Sequence, residues 1–416
     1  MTGKDTMLPE RASLLNQRNR IWVILFISLA AILHVRVAVA DEFRLMPNLR
    51  LTEEYNDNIF LSATGRIQDF TTTTSPGLEL YDSTERFHGN LSSRAAWLVY
   101  ANNPGFDHID QFHSGNGSYQ LTPSLALNAG AAYSVDSRPD RALPTTGLVV
   151  ESTVPRRTES FTGGADYTLT EKSGLSFSYG YAQSVYLSSQ PQTSNYTTNS
   201  AQISLSHDLE SMLKNTKGQV TFSYINYDYQ NRHLSVDSYS GTVGATKTLS
   251  EKLSVSINAG AVQTISNVES LNIFGFPEKE KLTSLGFTGM GSLAYRGEKT
   301  DASISASQQV LPSPGSAGTT NRTSLAFSAD HRFTYELSGT FFCQYFLNKS
   351  TQTGVGVQQI DQVSFSISPG LRYEFTRDFF LEGTYTYTRI DDNVNNTSAS
   401  RNLFMLRLTM QTRLFE

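Results

Sequence analysis

The feature that most constrains this chain is an alternation of apolar and polar residues with a period of two, repeated along nearly its whole length. Val363, Phe365 and Ile367 share one face while Ser364, Ser366 and Ser368 share the other, and beyond Pro369 the same phase continues with Leu371, Tyr373 and Phe375 against Arg372 and Glu374. Leu175, Phe177, Tyr179 and Tyr181 alternate with Ser176, Ser178 and Gly180. Leu253, Val255 and Ile257 alternate with Ser254, Ser256 and Asn258, and Phe404, Leu406, Leu408 and Met410 with Arg407, Thr409 and Gln411. A period of two belongs to the β-strand, whose successive side chains point to opposite faces, and none of these runs keeps helical spacing.

Turn residues cut the pattern into hairpins. Short connections fall at Leu121-Thr122-Pro123-Ser124-Leu125, Leu169 to Leu175, Leu249-Ser250-Glu251-Lys252-Leu253, Phe333 to Leu337 and Phe375-Thr376-Arg377-Asp378-Phe379, with less regular ones near Asp82-Ser83, Glu210 to Lys217 and Gly297 to Thr300. Longer ones, rich in Pro, Gly, Asn and charge, span Ser137 to Arg157, Val268 to Lys281, Leu311 to Asn321, Asn348 to Asp361 and Asp391 to Ser400. Strict alternation of short and long is the pattern of transmembrane barrels, with tight periplasmic turns and larger extracellular loops. Eight short turns and two periplasmic termini predict about eighteen strands. The expected fold class is therefore all-β, a transmembrane antiparallel up-and-down β-barrel. Pro47, Pro76 and Pro369 fall inside strand patterns, the last two within a repeated Ser-Pro-Gly-Leu, and read as bulges. Phe415, out of phase with Leu414 and followed by Glu416, departs from the usual aromatic end of a barrel.

A soluble β-sandwich or propeller would need dense aliphatic packing on its buried face. Here one face is Ser, Thr, Gly and Asn, and the other is rich in the chain's 20 Tyr and 24 Phe. That arrangement suits lipid outside and water inside. Past the N-terminus no stretch approaches the ~20 apolar residues of a membrane helix. At the N-terminus, Arg11, Arg18 and Arg20 precede the apolar run Ile21 to Leu33, and Ala38-Val39-Ala40 precedes Asp41. This is the charged, apolar and small-residue order of a secretory signal peptide. The expected organisation is a signal peptide over residues 1–40 and an outer-membrane barrel over 41–416. The single Cys343 excludes an internal disulfide, lies in phase with Phe341 and Tyr345, and reads as a lipid-facing or packed residue.

The formal charge of −5 argues against nucleic acid as a partner. Seven His are scattered, and no Gly-x-Ser-x-Gly, His-Glu-x-x-His or Cys-x-x-Cys-His motif occurs. His108, Asp110 and His113 are close in sequence, but solvated polar residues at a strand start explain them better than a metal site. We expect no enzyme activity, no catalytic residue, no cofactor and no metal.

The polar parity predicts the wall of a lumen. Ser364, Ser366 and Asn258 belong to a weakly charged, hydrogen-bonding surface able to exchange bonds with water or sugar. Arg372, Glu374, Glu382, Arg407 and Arg413 are expected lumen charges towards the C-terminal strands, or alternatively cross-strand pairs that fix register. A barrel of this size encloses an aqueous channel unless something plugs it. The loop Ser137 to Arg157, with Arg138, Asp140, Arg141, Arg156 and Arg157, is the candidate for folding inward as a constriction.

The segment Glu53-Glu54-Tyr55-Asn56-Asp57-Asn58-Ile59-Phe60-Leu61-Ser62, followed by Asp69-Phe70 and Thr74 to Leu78, resembles the opening of the β-barrel porin-2 family. That family includes outer-membrane barrels associated with exopolysaccharide and PEP-CTERM systems. The resemblance implies an outer-membrane location and a link to polysaccharide export, and carries over no catalytic residue. Two functions stand open. One is a porin-like conduit for polysaccharide or small hydrophilic solutes. The other is a non-conducting barrel with an occluded lumen that presents loops or docks partners. Expected partners are outer-membrane lipid, polysaccharide or small sugars, and periplasmic export components.

Overall fold

The structure is a computed structural model that describes residues 42–149, 152–188, 194–229, 234–271, 277–312, 319–350 and 359–414. The N-terminal segment read as a signal peptide and the final Phe415 and Glu416 lie outside the described residues. The unit Glu42–Glu416 forms one compact body.

Its first strands are β1 (Glu42–Asn56), β2 (Asp69–Ser83), β3 (Phe87–Tyr100), β4 (His108–Thr122), β5 (Leu125–Asp136) and β6 (Arg156–Thr170). Next come β7 (Ser173–Tyr186), β8 (Tyr196–Asp208), β9 (Thr216–Tyr229), β10 (Leu234–Ser250), β11 (Leu253–Leu271) and β12 (Pro277–Arg296). The last are β13 (Thr300–Pro312), β14 (Thr319–Arg332), β15 (Leu337–Ser350), β16 (Asp361–Thr376), β17 (Phe379–Asp392) and β18 (Thr397–Gln411). Each pairs antiparallel with its sequence neighbours, and β18 returns to β1 through Asn48–Gln411 to Asn56–Leu403. The eighteen-stranded sheet is closed, so it has no free edge.

Closure sorts every strand into an inner and an outer parity. On the outer parity Trp97, Phe222 and Val243 are 60%, 61% and 65% exposed, values no aqueous core would leave. Ile109, Phe161, Phe177, Ile257, Phe287, Leu371 and Phe404 are exposed beside them. Aromatic pairs lie towards both ends of this band, with Tyr55–Phe70 (4.8 Å between centroids) beside the long β1–β2 connection. Tyr373–Phe375 (5.0 Å) and Phe375–Phe379 (5.1 Å) lie near the short turns. On the inner parity, hydroxyls pair across strands: Ser223 with Ser240 (2.6 Å), Ser303 with Ser328 (2.8 Å), Ser307 with Ser324 (2.7 Å) and Ser368 with Thr386 (2.7 Å). Each hydroxyl both donates and accepts, so such rows satisfy one another without charge.

A recurrent device closes the short hairpins. Thr170, Ser250 and Thr376 each accept, through the side-chain oxygen, the backbone N–H two residues on, from Lys172, Lys252 and Asp378 (all 3.3 Å). The ladder shifts register by one residue at these turns and at Thr122. The hydroxyl mimics a backbone turn, which explains the repeated Leu-Thr, Leu-Ser and Phe-Thr at these positions.

Two expectations are corrected here. Pro76 and Pro369 are not bulges: the β2–β3 ladder runs Thr74–Trp97 then Gly77–Arg94, and β16–β17 runs Ile367–Tyr387 then Gly370–Thr384, with the same offset on either side. Each proline removes a rung and leaves the register intact, because its fixed φ suits an extended strand even though it lacks a donor. Pro47 likewise keeps register against Leu78. The alternation of short and long connections is also not strict. β11 and β12 stay paired from Val268–Glu280 to Leu271–Pro277, so much of the expected Val268 to Lys281 loop is ladder. The β17–β18 connection shrinks to residues 393–396 for the same reason.

Candidate constriction and inner wall

The connection between β5 and β6 does not stay over its own hairpin. From Ser137 it runs through a single helical turn, Leu143–Thr146, and on to Val149. Along that path Arg138 binds Glu54 of β1 (Nη2–Oε1 2.9 Å), and Asp140 accepts from Arg401 of β18 (2.8 Å). Leu143 packs with Ile390 of β17, Ala399 of β18 and Leu61. Arg322 of β14 donates to the Thr145 carbonyl (3.4 Å) and Asn348 of β15 to that of Thr146 (2.9 Å). A segment that leaves β5, returns to β6 and touches β14, β15, β17, β18 and β1 on the way crosses the interior of the barrel. The faces it touches are therefore inner faces.

Local chemistry explains the path. Gly147 ends the helical turn with φ +69°, a left-handed conformation that glycine adopts without strain. It sits so close to the wall that a Cβ there would lie 2.6 Å from the Phe346 Cβ and collide with the Ser364 hydroxyl. Arg138 also donates to Asp140 (3.1 Å), so Glu54, Arg138, Asp140 and Arg401 form one alternating chain. Arg401 is 3% exposed and Glu54 8%. Burial alone would raise the Asp140 carboxyl, but the guanidinium groups of Arg138 and Arg401 outweigh it and hold it below the ordinary 3.8. The same two carboxylates, Asp140 ahead of Glu54, raise Arg138 well above its usual value. A depressed carboxylate stabilises the folded state above its unfolded value and loses that contribution only as pH falls through the folded one. Asp140 is thus expected to keep its share of the docking from neutral down to about pH 4, checked as a conductance difference between the parent and Asp140→Asn that stays constant over that range.

The family-like opening segment builds the opposite seat. Asn58 closes the turn after β1: its side-chain oxygen accepts from the Ser62 N–H (3.0 Å), and its amide donates to the carbonyls of Ser62 (2.9 Å) and Ser400 (3.1 Å). This holds Leu61 at φ +50°, uncommon for a branched residue, against Leu143. Asp57 takes the Asn402 N–H and side-chain amide (both 2.7 Å), and Asp69 gathers donors from Asn102 and Asn103.

Of the residues expected in the constriction loop, Arg138, Asp140 and Arg141 lie in the crossing segment, whereas Arg156 and Arg157 open strand β6. Arg156 shares the inner parity, but Arg157 points outward and pairs with Glu159 (3.2 Å). Of the expected lumen residues, Ser364 lies beside Gly147, and Ser366 bonds Thr388 (3.4 Å). Asn258 is on the inner parity of β11, in register with Gly244 and Met290. Arg372, Glu382 and Arg407 are neighbours on β16, β17 and β18, nearer the short turns. Arg372 binds Glu374 (3.1 Å) and stacks on Phe380 (3.7 Å), and Arg407 reaches Glu382 (3.9 Å). Arg50 and Glu79 (3.6 Å) continue this paired belt onto β1 and β2. Arg413 follows the end of β18. Sequence reading missed Glu54, Arg322, Asn348 and Arg401 as seats of the loop; their only signal was polar parity near the long-loop ends of strands. His108 and Asp110 face inward while His113 faces outward, bonded to Ser93 (2.9 Å), so the three do not converge. Among the described residues no group of three His, Cys, Asp or Glu could hold a metal. Cys343 is half-buried on the outer parity.

Residues 39–174 and 282–412, well over half of the chain, match the family model described as Putative beta-barrel porin 2. The chain belongs to that family of porins. Solved structures of similar fold include Pseudomonas aeruginosa OccK2 (OpdF), at 10% identity and a TM-score of 0.46, covering 91% of this chain and 100% of that one. Pseudomonas aeruginosa OpdO follows at 12% and 0.46, covering 90% and 98%. Acinetobacter baumannii OccAB3 stands at 11% and 0.46, covering 90% and 100%. No curated protein matches the chain. In this porin the matched stretches carry the whole latch: Glu54, Arg138 and Asp140 fall in the first, Arg322, Asn348 and Arg401 in the second.

Proposed function

We propose that this porin is a passive channel of a bacterial outer membrane that passes small hydrophilic solutes. The observation that carries the reading is a closed barrel whose inner wall is hydroxyl-rich and is crossed by the β5–β6 connection, pinned on the far side. The exposed apolar band and its aromatic ends match the lipid-facing surface of such barrels, which supports the location. Strands of about fifteen residues at ~3.3 Å each exceed the ~25 Å apolar band even when tilted by ~40°, leaving their ends in water. Selectivity follows from what the constriction presents to a solute, as in other pores. A latched crossing loop favours small solutes over a polysaccharide chain, whose passage would require the latch to open.

Purified barrel in planar bilayers is expected to conduct, and liposomes carrying it to admit monosaccharides faster than tetrasaccharides. An electrically silent barrel would instead support the second reading, an occluded barrel that binds or displays, which the same latched loop also favours.

A further inference from the structure

A recess of about 580 Å³ opens in the wall of β1 to β6, towards the short-turn end of the barrel. Arg44, on its rim, shares the parity of Glu54, which the crossing loop binds inside the barrel, but stands at the other end of β1. The recess therefore faces the lumen and is separate from the latch. Its centre is one row of residues in register from β2 to β6. Tyr81 stands opposite Asn90, Asn90 opposite Asn116, Asn116 opposite Gly130, and Gly130 opposite Thr162.

Gly130 makes the row concave. A Cβ there would lie 2.7 Å from the Thr162 hydroxyl, so the missing side chain leaves a gap between two carboxamides and a hydroxyl. Elsewhere on the inner wall facing polar groups satisfy each other, as Ser223 does Ser240. Asn90 and Asn116 do not: among the described residues neither carboxamide has a hydrogen-bond partner. Asn128, one row nearer the turns, spends its amide on Asp166 (2.9 Å) and keeps its carbonyl oxygen. Tyr81 ends the row. Its hydroxyl donates to Glu79 (3.4 Å), which lays the ring along its own strand, and the side chain is 39% exposed. The charged residues of the lining are already committed. Glu42 and Arg44 bind each other, and Asp82 belongs to the outer parity.

A neutral polyol fits this chemistry better than an ion. A carboxamide offers a donor and an acceptor at neighbouring atoms, and each sugar hydroxyl takes both roles, so adjacent hydroxyls can bridge one asparagine. The C–H face of a sugar ring lies on the apolar body of a tyrosine. Water satisfies the amides singly and gains nothing from that ring. The volume falls within the ~300–1,000 Å³ of small-ligand sites.

We propose that this recess holds a neutral sugar ring, stacked on Tyr81 and hydrogen-bonded by Asn90 and Asn116, at the short-turn mouth of the channel. The proposal deepens the channel reading by naming a solute class, and rests on it only for the solute's onward passage, because binding is measured without conduction.

The test is saturation-transfer NMR on the folded full barrel in dodecyldimethylamine oxide, a detergent without a sugar headgroup. The probes are glucose, galactose and mannose, the charged sugar glucuronate, and tetrahydropyran-2-methanol, which keeps the ring and drops its hydroxyls. At least one neutral sugar is expected to receive saturation, strongest on one C–H face, and tetrahydropyran-2-methanol none. Asn116→Ala and Tyr81→Ala should each weaken the sugar about fivefold to tenfold by titration, and Gly130→Val, which fills the gap, should abolish binding. Thr242→Ala, on the inner wall of β10, should leave it unchanged. Circular dichroism establishes that each variant is folded. Silence from all three neutral sugars, binding of glucuronate alone, equal transfer to tetrahydropyran-2-methanol, or folded recess variants that bind like the parent would each overturn the assignment. A barrel that conducts yet ignores the sugars removes this site and keeps the channel. A silent barrel that binds one of them does the reverse.

Discussion

Replacing Asp140 with alanine is expected to raise single-channel conductance several-fold and to convert a steady level into a fluctuating one. Asp140 accepts from both Arg138 (3.1 Å) and Arg401 (2.8 Å), so one substitution removes the loop's tie to β18 and one of the two carboxylates that hold Arg138, leaving Glu54 as the other. It also leaves Arg401, 3% exposed, as a buried cation without its carboxylate. Breaking a buried pair from one side costs about 3–5 kcal/mol, a shift of about a hundredfold or more in the docked equilibrium. Burial of Leu143 against Ile390 and Ala399 opposes release, with about 1.5–3 kcal/mol for a buried leucine side chain. The electrostatic loss is the larger, so the loop spends much of its time away from the wall. Gly147→Val should act in the same direction by a different cause, because its Cβ has no room beside Phe346 and φ +69° disfavours a branched residue. Arg157→Ala, outside the latch, serves as the control and should conduct like the parent. If both loop variants conduct like the parent, the crossing segment does not limit the current.

The second large effect lies on the outer wall. Val243→Arg is expected to destabilise the folded barrel by about 2–4 kcal/mol in a bilayer, whereas Thr242→Arg, one residue away, should cost little. Both sit mid-way along β10, but Val243 belongs to the outer parity and Thr242 to the inner one. An arginine at 243 would meet hydrocarbon, and one at 242 would meet the hydroxyl-lined interior. Urea unfolding in lipid vesicles measures the difference. Equal tolerance of the two arginines, or greater damage from the inner one, would mean that the apolar face does not touch lipid.

The contrast between these two experiments marks where sequence and structure divide. The alternation at Val363 to Ser368 and Leu253 to Asn258 assigns each side chain to a face without any knowledge of neighbours, because a strand's period is a local property. The turn hydroxyls of Thr170, Ser250 and Thr376 act on N–H groups two residues away, so the short hairpins, and with them the strand number, were equally legible. Prolines 76 and 369 misled because a missing donor in the sequence looks the same whether the ladder skips a rung or slips register. Arg157 misled because the length of β6 depends on pairing with Arg156–Tyr186 and Asp136, not on its own composition.

The amino-acid order alone thus settled which face is apolar, where the chain turns and how many strands close. It could name the β5–β6 loop as charged and long, but not where that charge goes. Arg138 meets Glu54 across 84 residues of chain, and Asp140 meets Arg401 across 261. Those meetings depend on how eighteen strands close into a ring, which sets which walls stand opposite each other, and only the folded barrel decides that.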